Sequence, residues 1–432
     1  MNRICPFPKK SLDSALGEQV GTPKPAAITF WHWGDPEYRE RELRVATAFQ
    51  ERLKHLSVTV ETIQYGDLVQ KLPTSFAGGA PPDVFVLDMQ WVPQYGQTTW
   101  VVDLYELIRR DKSAWLREVQ AAPIAKLAFE IMSAKGMLLG LPSGAGPNLY
   151  FYNADLFRKE GLKTPYELWK EDRWTWEAFV DAAKRLTKHG SQQWDIAGAA
   201  PGLHRLWMNA NGGQELDDWH GPKRCLYDTP ESIGALQLLQ DLRHRDRVVP
   251  VNFNQEVGMN DTQAFVAGKV AMMARWTSGI GVYKTITSHT WGMVPYPKSK
   301  TYANDYATSG PAIARETRAL EAAWEWVKFR QGADGGAIHA EDGTGVPFHP
   351  NVQKVTLRVH QAIPTLETPG LSICPFPKKS LDSALVSKDE AKIHNELINP
   401  ELNKVWRGEE GAASAARRIA AQVNEFLKVN PQ

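Results

Sequence analysis

Cysteine is scarce in this chain. The 432 residues hold three, Cys5, Cys225 and Cys374, which make no disulfide framework and fall in no CxxC or Cys/His metal spacing. The 11 histidines are scattered rather than clustered, so neither a metal centre nor a cofactor is expected. A surplus of charge is missing as well. With 50 Lys and Arg against 49 Asp and Glu, the net charge of +1 gives a nucleic acid or an anionic membrane nothing to bind. No apolar run approaches the ~20 residues that a membrane-spanning helix needs. The N-terminus, Met1 to Cys5, lacks the apolar stretch of a secretory signal. If the protein is exported, that signal has been removed or replaced.

Against these absences stands an excess of tryptophan. There are 16, beside 15 Phe and 12 Tyr, in a chain 43% hydrophobic and 23% charged, long enough for two domains. Most of these rings must be core. Flat amphipathic rings also suit a sugar, whose C–H faces lie on π-clouds while its hydroxyls meet polar groups at the rim, so the excess points weakly to carbohydrate. One repeat is present: Ile4 to Leu16 (ICPFPKKSLDSAL) recurs unchanged at Ile373 to Leu385. It is too short for a solenoid unit, which takes about 20 residues or more. The first copy precedes a Gly/Pro-containing linker, Gly17 to Pro25, and reads as an appendage such as a gene rearrangement leaves.

The stretch around which the rest is organised is Gly78-Gly-Ala-Pro-Pro-Asp-Val-Phe-Val-Leu-Asp-Met-Gln-Trp91. Val84 to Leu87 reads as a strand buried on both faces of a parallel sheet, and it stops abruptly at Asp88, Met89, Gln90 and Trp91. In an open α/β sheet ligands bind beyond the carboxyl ends of the strands. The cluster is therefore either a binding edge or an ordinary loop in which Asp88 caps the next helix. Upstream, Ala27 to Trp31 reads as a strand running into His32 to Pro36, and Glu40 to Leu53 as a helix with one apolar face. Val58 to Tyr65 is a strand and Leu68 to Phe76 a helix. This β-α-β-α-β run brings two polar or aromatic strand ends to one edge.

Further along, a Gly/Pro-rich segment from Ser143 to Asn148 leads into an aromatic strand, Leu149 to Tyr152. Trp174 to Leu186 is an amphipathic helix with Thr175 as N-cap, and Leu203 to Asn209 a helix ending at Gly212 and Gly213. Val270 to Ala274 is a strand that runs into Arg275, Trp276, Thr277 and Ser278. Leu320 to Arg330 and Ala412 to Leu427 read as helices.

Six blocks now carry a resemblance: AGGAPPDVFVLD, LPSGAGPNLYFYNADLFRKEGL, the Trp174-Thr-Trp helix, AFVAGKVAM from Ala264, WGMVPYP from Trp291 and AAWEWVKF from Ala322. In this order, over roughly residues 27 to 430, the chain resembles the extracellular solute-binding proteins of sugar-importing ABC transporters, the maltose-binding-like group. The resemblance implies a two-lobed, periplasmic-binding-protein-like α/β fold with a multi-crossing hinge and a ligand cleft between the lobes. The N-terminal lobe would hold 26–143 and 307–347 and the C-terminal lobe 148–302 and 350–432. Hinge crossings would fall near 144–147, 303–306 and 348–349, with 1–25 as appendage and linker. It further implies non-catalytic capture of a mono- or oligosaccharide by a monomer, for delivery to the membrane permease subunits of an ABC importer, with no nucleic-acid partner. Its place would be outside the cytoplasm, periplasmic or on the cell surface as a lipoprotein; the missing export signal and lipobox depart from the family's pattern.

By matching position, the family's ligand contacts fall on Trp33 and Asp35, Asp88 and Gln90, Asn148, His204 and Trp207, Arg275 and Trp276, and Ser309 and Gly310. Carboxylates and amides pair with hydroxyls, Arg275 adds charged donors, and tryptophans stack on ring faces. Each has a plainer reading too: Asp35 and Asp88 as caps, His204 as a solvated helix residue, Trp207 as core. Two other classes stay open. A glycoside-acting enzyme needs two carboxylates about 5 to 10 Å apart, which Asp35 and Asp88 do not exclude. A binder of a phosphate ester such as a glycerol phosphate wants several cations or a Gly-rich helix N-terminus, and only Arg275 presents itself.

Overall fold

The computed structural model describes residues 25–34, 36–112, 123–142, 144–218, 221–344, 346–371, 389 and 392–430. Asp35, both copies of the repeat, Cys5 and Cys374 lie outside the described residues. In chain order the principal elements begin with β1 (Ala26–Trp33), α1 (Pro36–Arg52), β2 (Leu56–Ile63), α2 (Tyr65–Ala77) and β3 (Val84–Asp88). They continue with β4 (Gly144–Asn153), α3 (Trp176–Leu186), β5 (Trp194–Ala200), α4 (His204–Ala210), α5 (Pro230–His244), β6 (Val270–Trp276) and β7 (Trp291–Val294). Last come β8 (Ser309–Ile313), α6 (Leu320–Gln331), α7 (Ala333–Ala340) and α8 (Ala412–Val429). The chain divides into two compact units, 1–146 with 307–359 and 147–306 with 360–432.

In the first unit the sheet order is β8-β3-β1-β2, with β1 parallel to β2 and β3, and β8 antiparallel to β3. Val84 to Leu87 are all buried, as a central strand covered by helices requires. Phe30 of β1, Phe49 of α1 and Trp326 of α6 meet edge to face, with Trp326 5.4 Å from Phe30 and 5.2 Å from Phe49 between centroids. Beside them Glu42 of α1 is fully buried and receives both Nε and Nη2 of Arg330, at 3.0 and 2.7 Å. Burial alone would raise the Glu42 carboxyl; the guanidinium outweighs it and holds the group far below the usual carboxylate range. Helix α7 contains two adjacent glycines that hide it from a propensity reading. A Cβ on Gly335 would come within 2.6 Å of the Phe329 carbonyl oxygen, so the bare backbone is what allows α7 to lie against the end of α6.

In the second unit the order is β7-β4-β6-β5, with the short strand Lys188–His189 beyond β5. Strand β4 is antiparallel to β6 and β7, and β5 is parallel to β6. Alternation along β4 splits the core in two. Tyr150 and Tyr152 face one cluster, with Trp174, Phe179, Trp207 and Tyr296. Leu149 and Phe151 face the other, with Met273, Phe265, Tyr283 and Trp291. Thr175 caps α3 as its sequence suggests, its hydroxyl accepting from the Ala178 N–H. Strand β5 (WDIAGAA) escaped the sequence reading because small residues dominate it. Those residues have a use: a Cβ on Gly198 would sit 2.4 Å from the Ala183 carbonyl oxygen of α3, so helix and strand approach closely only over Gly198. Cys225 is buried, and burial pushes its thiol up to about 12, which leaves it unreactive.

Candidate functional site

The parallel register of the first unit decides what gathers at its edge. Trp33 pairs with Ile63, so β1 and β2 end level, and Tyr65 follows two residues later at the start of α2. Strand β3 ends beside them at Asp88 and turns into the short helical turn Met89–Trp91. Three successive strand ends thus deliver one ring each. Trp33 stands 5.6 Å from Tyr65 and 5.6 Å from Trp91, both edge to face, and Tyr65 lies 5.5 Å from Trp91 at 31°. Tyr65 is 39% exposed, high for so large a ring, and Trp33 and Trp91 are half-buried.

Asp88 does two things at this edge. Its Oδ1 accepts the Gln90 N–H at 2.9 Å, which is the capping role. The same carboxyl is half-buried and has no cation beside it among the described residues, so desolvation pushes it up to about 6 against the pull of that one hydrogen bond. Gln90 is exposed. Antiparallel pairing places Ser309 directly opposite Asp88, and Gly310 opposite Leu87. Gly310 has a structural reason to be glycine: a Cβ there would stand 2.3 Å from the Leu141 carbonyl oxygen.

In the second unit the β4–β6 register sets Asn148 opposite Trp276. Asn148 is buried, its N–H donates to the Asp305 carbonyl at 2.9 Å, and its Oδ1 accepts from the Tyr296 hydroxyl at 3.0 Å. Trp276, at the end of β6, is half-buried. Arg275, one residue earlier, pairs with Leu149 and so lies on the opposite face of the sheet, where its guanidinium is engaged by Asp261. The structure therefore brings Asn148 and Trp276 together and takes Arg275 away from them.

Helix α4 corrects the expectation for Trp207. This ring is fully buried, its indole N–H donates to the Pro201 carbonyl at 2.9 Å, and it packs on Tyr150, Phe179, Trp176 and Tyr296. It is core. His204 is not a solvated helix residue: its Nε2 stands 2.6 Å from the Tyr227 hydroxyl and 3.1 Å from Glu215. The loop before α4 is pinned to the sheet by aromatic tips, Tyr150 donating to Pro201 O at 3.1 Å and Leu203 N–H donating to the Tyr296 oxygen at 3.3 Å. At φ +70°, with Tyr296 Oη 2.6 Å from where a Cβ would be, position 202 admits only glycine. Next to His204, Arg205 donates through Nε to the buried Asp305 at 3.1 Å.

Sequence reasoning thus missed Tyr65, Arg205, Tyr296, Glu215 and Asp305, and kept Trp91 out of the matched set although it stood in the cluster after β3. For Tyr65 the signal was available, since it follows β2 as Trp33 ends β1. For Arg205 and Asp305, about 100 residues apart, no local pattern exists.

The fold has solved counterparts. It is shared with an ABC substrate-binding protein from Listeria monocytogenes solved in complex with cycloalternan, at a TM-score of 0.73 and 20% identity over 94% of this chain and 100% of that one. Residues 39–337 match the family model of the bacterial extracellular solute-binding proteins, and the chain belongs to that family. It is a solute-binding protein and not an enzyme. Curated relatives include a lactose-binding protein of Rhizobium radiobacter, 24% identical over 304 residues and 67% of either chain. Another is the sn-glycerol-3-phosphate-binding periplasmic protein of Pectobacterium atrosepticum, 20% identical over 423 residues, covering 93% of this chain and 91% of that protein. Among the described residues no helix is long and apolar enough to cross a membrane.

Proposed function

We propose that this protein captures a neutral carbohydrate, a mono- or oligosaccharide, and delivers it to the permease subunits of an ABC importer outside the cytoplasm. It acts as a monomer that closes on the sugar. The observation that carries this reading is the trio Trp33, Tyr65 and Trp91 beside Asp88: half-exposed rings for the C–H faces of a sugar and a carboxyl for its hydroxyls. Asn148 and Trp276 supply the same pair of chemistries on the second unit. The lactose-binding and cycloalternan-bound relatives support the choice of solute.

The relative that binds glycerol 3-phosphate keeps a phosphate ester in view. Charge weighs against it here. A phosphate wants cations, yet Arg275 is engaged by Asp261 and Arg205 by Asp305, while Asp88 would repel a dianion. A thermal-shift screen over mono- and oligosaccharides with glycerol 3-phosphate alongside tests the reading. A sugar at about 100 times its dissociation constant adds roughly 2.7 kcal/mol to folding. Stabilisation by glycerol 3-phosphate alone would refute it.

A further inference from the structure

Behind the leading edge of α4 lies a carboxylate that the solute-binding reading has not used. Glu215 is 1% exposed. The Tyr227 hydroxyl donates to its Oε1 at 2.5 Å, His204 Nε2 approaches the same oxygen at 3.1 Å, and His394 Nε2 reaches Oε2 at 3.4 Å. A buried anion must be met by donors, and three side chains from three separate segments aim their polar atoms at this one. With the Tyr227 proton given to Glu215, the 2.6 Å contact between Tyr227 Oη and His204 Nε2 requires the ring nitrogen to be the donor. His204 therefore carries its proton on Nε2.

The other ring nitrogen is then the one that matters. Nδ1 of His204 has no hydrogen-bond partner among the described residues and is not sealed from solvent, on a side chain that is 18% exposed. His204 opens α4 directly after Leu203, whose N–H is held by Tyr296, and Tyr296 in turn holds Asn148. We propose that Glu215 is a positioning residue: it fixes His204 in the Nε2–H tautomer and so presents Nδ1 as an acceptor for a solute hydroxyl. The assignment rests on the reading that the edge at Asn148 and α4 meets the solute. Among the described residues the other ionisable groups near the carboxylate include Cys225, whose buried thiol is raised, and Arg205, which acts on Tyr227 from α4. Burial would raise the Glu215 carboxyl itself; His394 and the hydrogen bond from His204 outweigh it and hold it well below the usual range, so it stays an acceptor.

The test is long-range 1H–15N correlation NMR of the full chain at pH 8, with the His204 signals identified by their loss in His204→Gln. The unliganded protein should show a protonated Nε2 and a bare Nδ1. Glu215→Gln should mix the two tautomers and weaken binding of lactose, the probe sugar, about tenfold, as one lost hydrogen bond does. Lactose should move the Nδ1 signal of the unmodified protein. A proton on Nδ1 in the unliganded protein, or an unchanged tautomer and unchanged lactose affinity in Glu215→Gln, would overturn the proposal. Should that variant not fold, Tyr227→Phe keeps the carboxylate and should keep the Nε2–H tautomer; losing it would assign the role to Tyr227 instead. Failure of the unmodified protein to bind lactose would count against the sugar reading, while the unliganded spectra still decide the role of Glu215.

Discussion

Asp88→Asn should make the protein more stable at neutral pH and a poorer binder. The amide keeps the cap, because its oxygen accepts the Gln90 N–H as the carboxylate does. What it removes is a half-buried charge that no cation among the described residues offsets. Burial raises the carboxyl from 3.8 to about 6, and at 1.36 kcal/mol per unit the ionised form costs roughly 3 kcal/mol of folding free energy above that value. An acid whose folded pKa lies above its unfolded one favours folding while protonated. The stability it supports is present below pH 4 and lost as pH rises through 6. Wild type and Asp88→Asn should thus melt together near pH 4 and separate by about 6–12 °C at pH 7.5, the variant higher, at roughly 2–4 °C per kcal/mol for a unit of this size. Scanning calorimetry of the unliganded proteins at both pH values reads this directly. Sugar affinity should fall about tenfold or more, since a charge-assisted acceptor is gone. A variant that melts at or below the wild-type temperature at pH 7.5 would refute the account of Asp88 as a carboxyl kept at a stability cost for its ligand.

Trp207→Ala should lower the melting temperature by roughly 10 °C, since emptying a core aromatic site costs about 3–5 kcal/mol. Trp276→Ala should leave unfolding nearly in place and weaken sugar binding about thirtyfold, an effect of about 2 kcal/mol read by titration calorimetry. Arg330→Met should destabilise by about 3–5 kcal/mol in urea at pH 7, because Glu42 is left buried without its bidentate partner. The depressed Glu42 carboxyl gives stability that is present above pH 4.5 and lost as pH falls, so the gap between Arg330→Met and wild type should narrow in acid. Removing residues 1–24 should change neither melting temperature nor sugar affinity.

How much of this was legible follows from which physics is local. In the run from β1 to β3, β3 was legible because burial on both faces leaves an unbroken apolar stretch, Val84 to Leu87, while β1 and β2 show in their buried-exposed alternation. Strand β5 and helix α7 were not, because both are built from Ala and Gly to let a neighbouring backbone approach within contact of Gly198 and Gly335. Close packing erases the very side chains that periodicity needs. For the site, the sequence held more than was taken from it. Arg275 and Trp276 are adjacent on a strand and must face opposite ways, which separates them before any coordinate is known. Trp207 could not be sorted from Trp276 in that way, since on a helix as short as α4 an indole among Leu206, Met208 and His204 has no clear face. Least legible were the neutralised charges. Arg205 reads as a free cation beside a candidate ligand residue until Asp305, far along the chain, is found against it. That distant carboxylate takes from the second unit a cation that a phosphate would have wanted, and leaves Asn148 and Trp276 opposite each other with no uncompensated charge from Arg205 beside them.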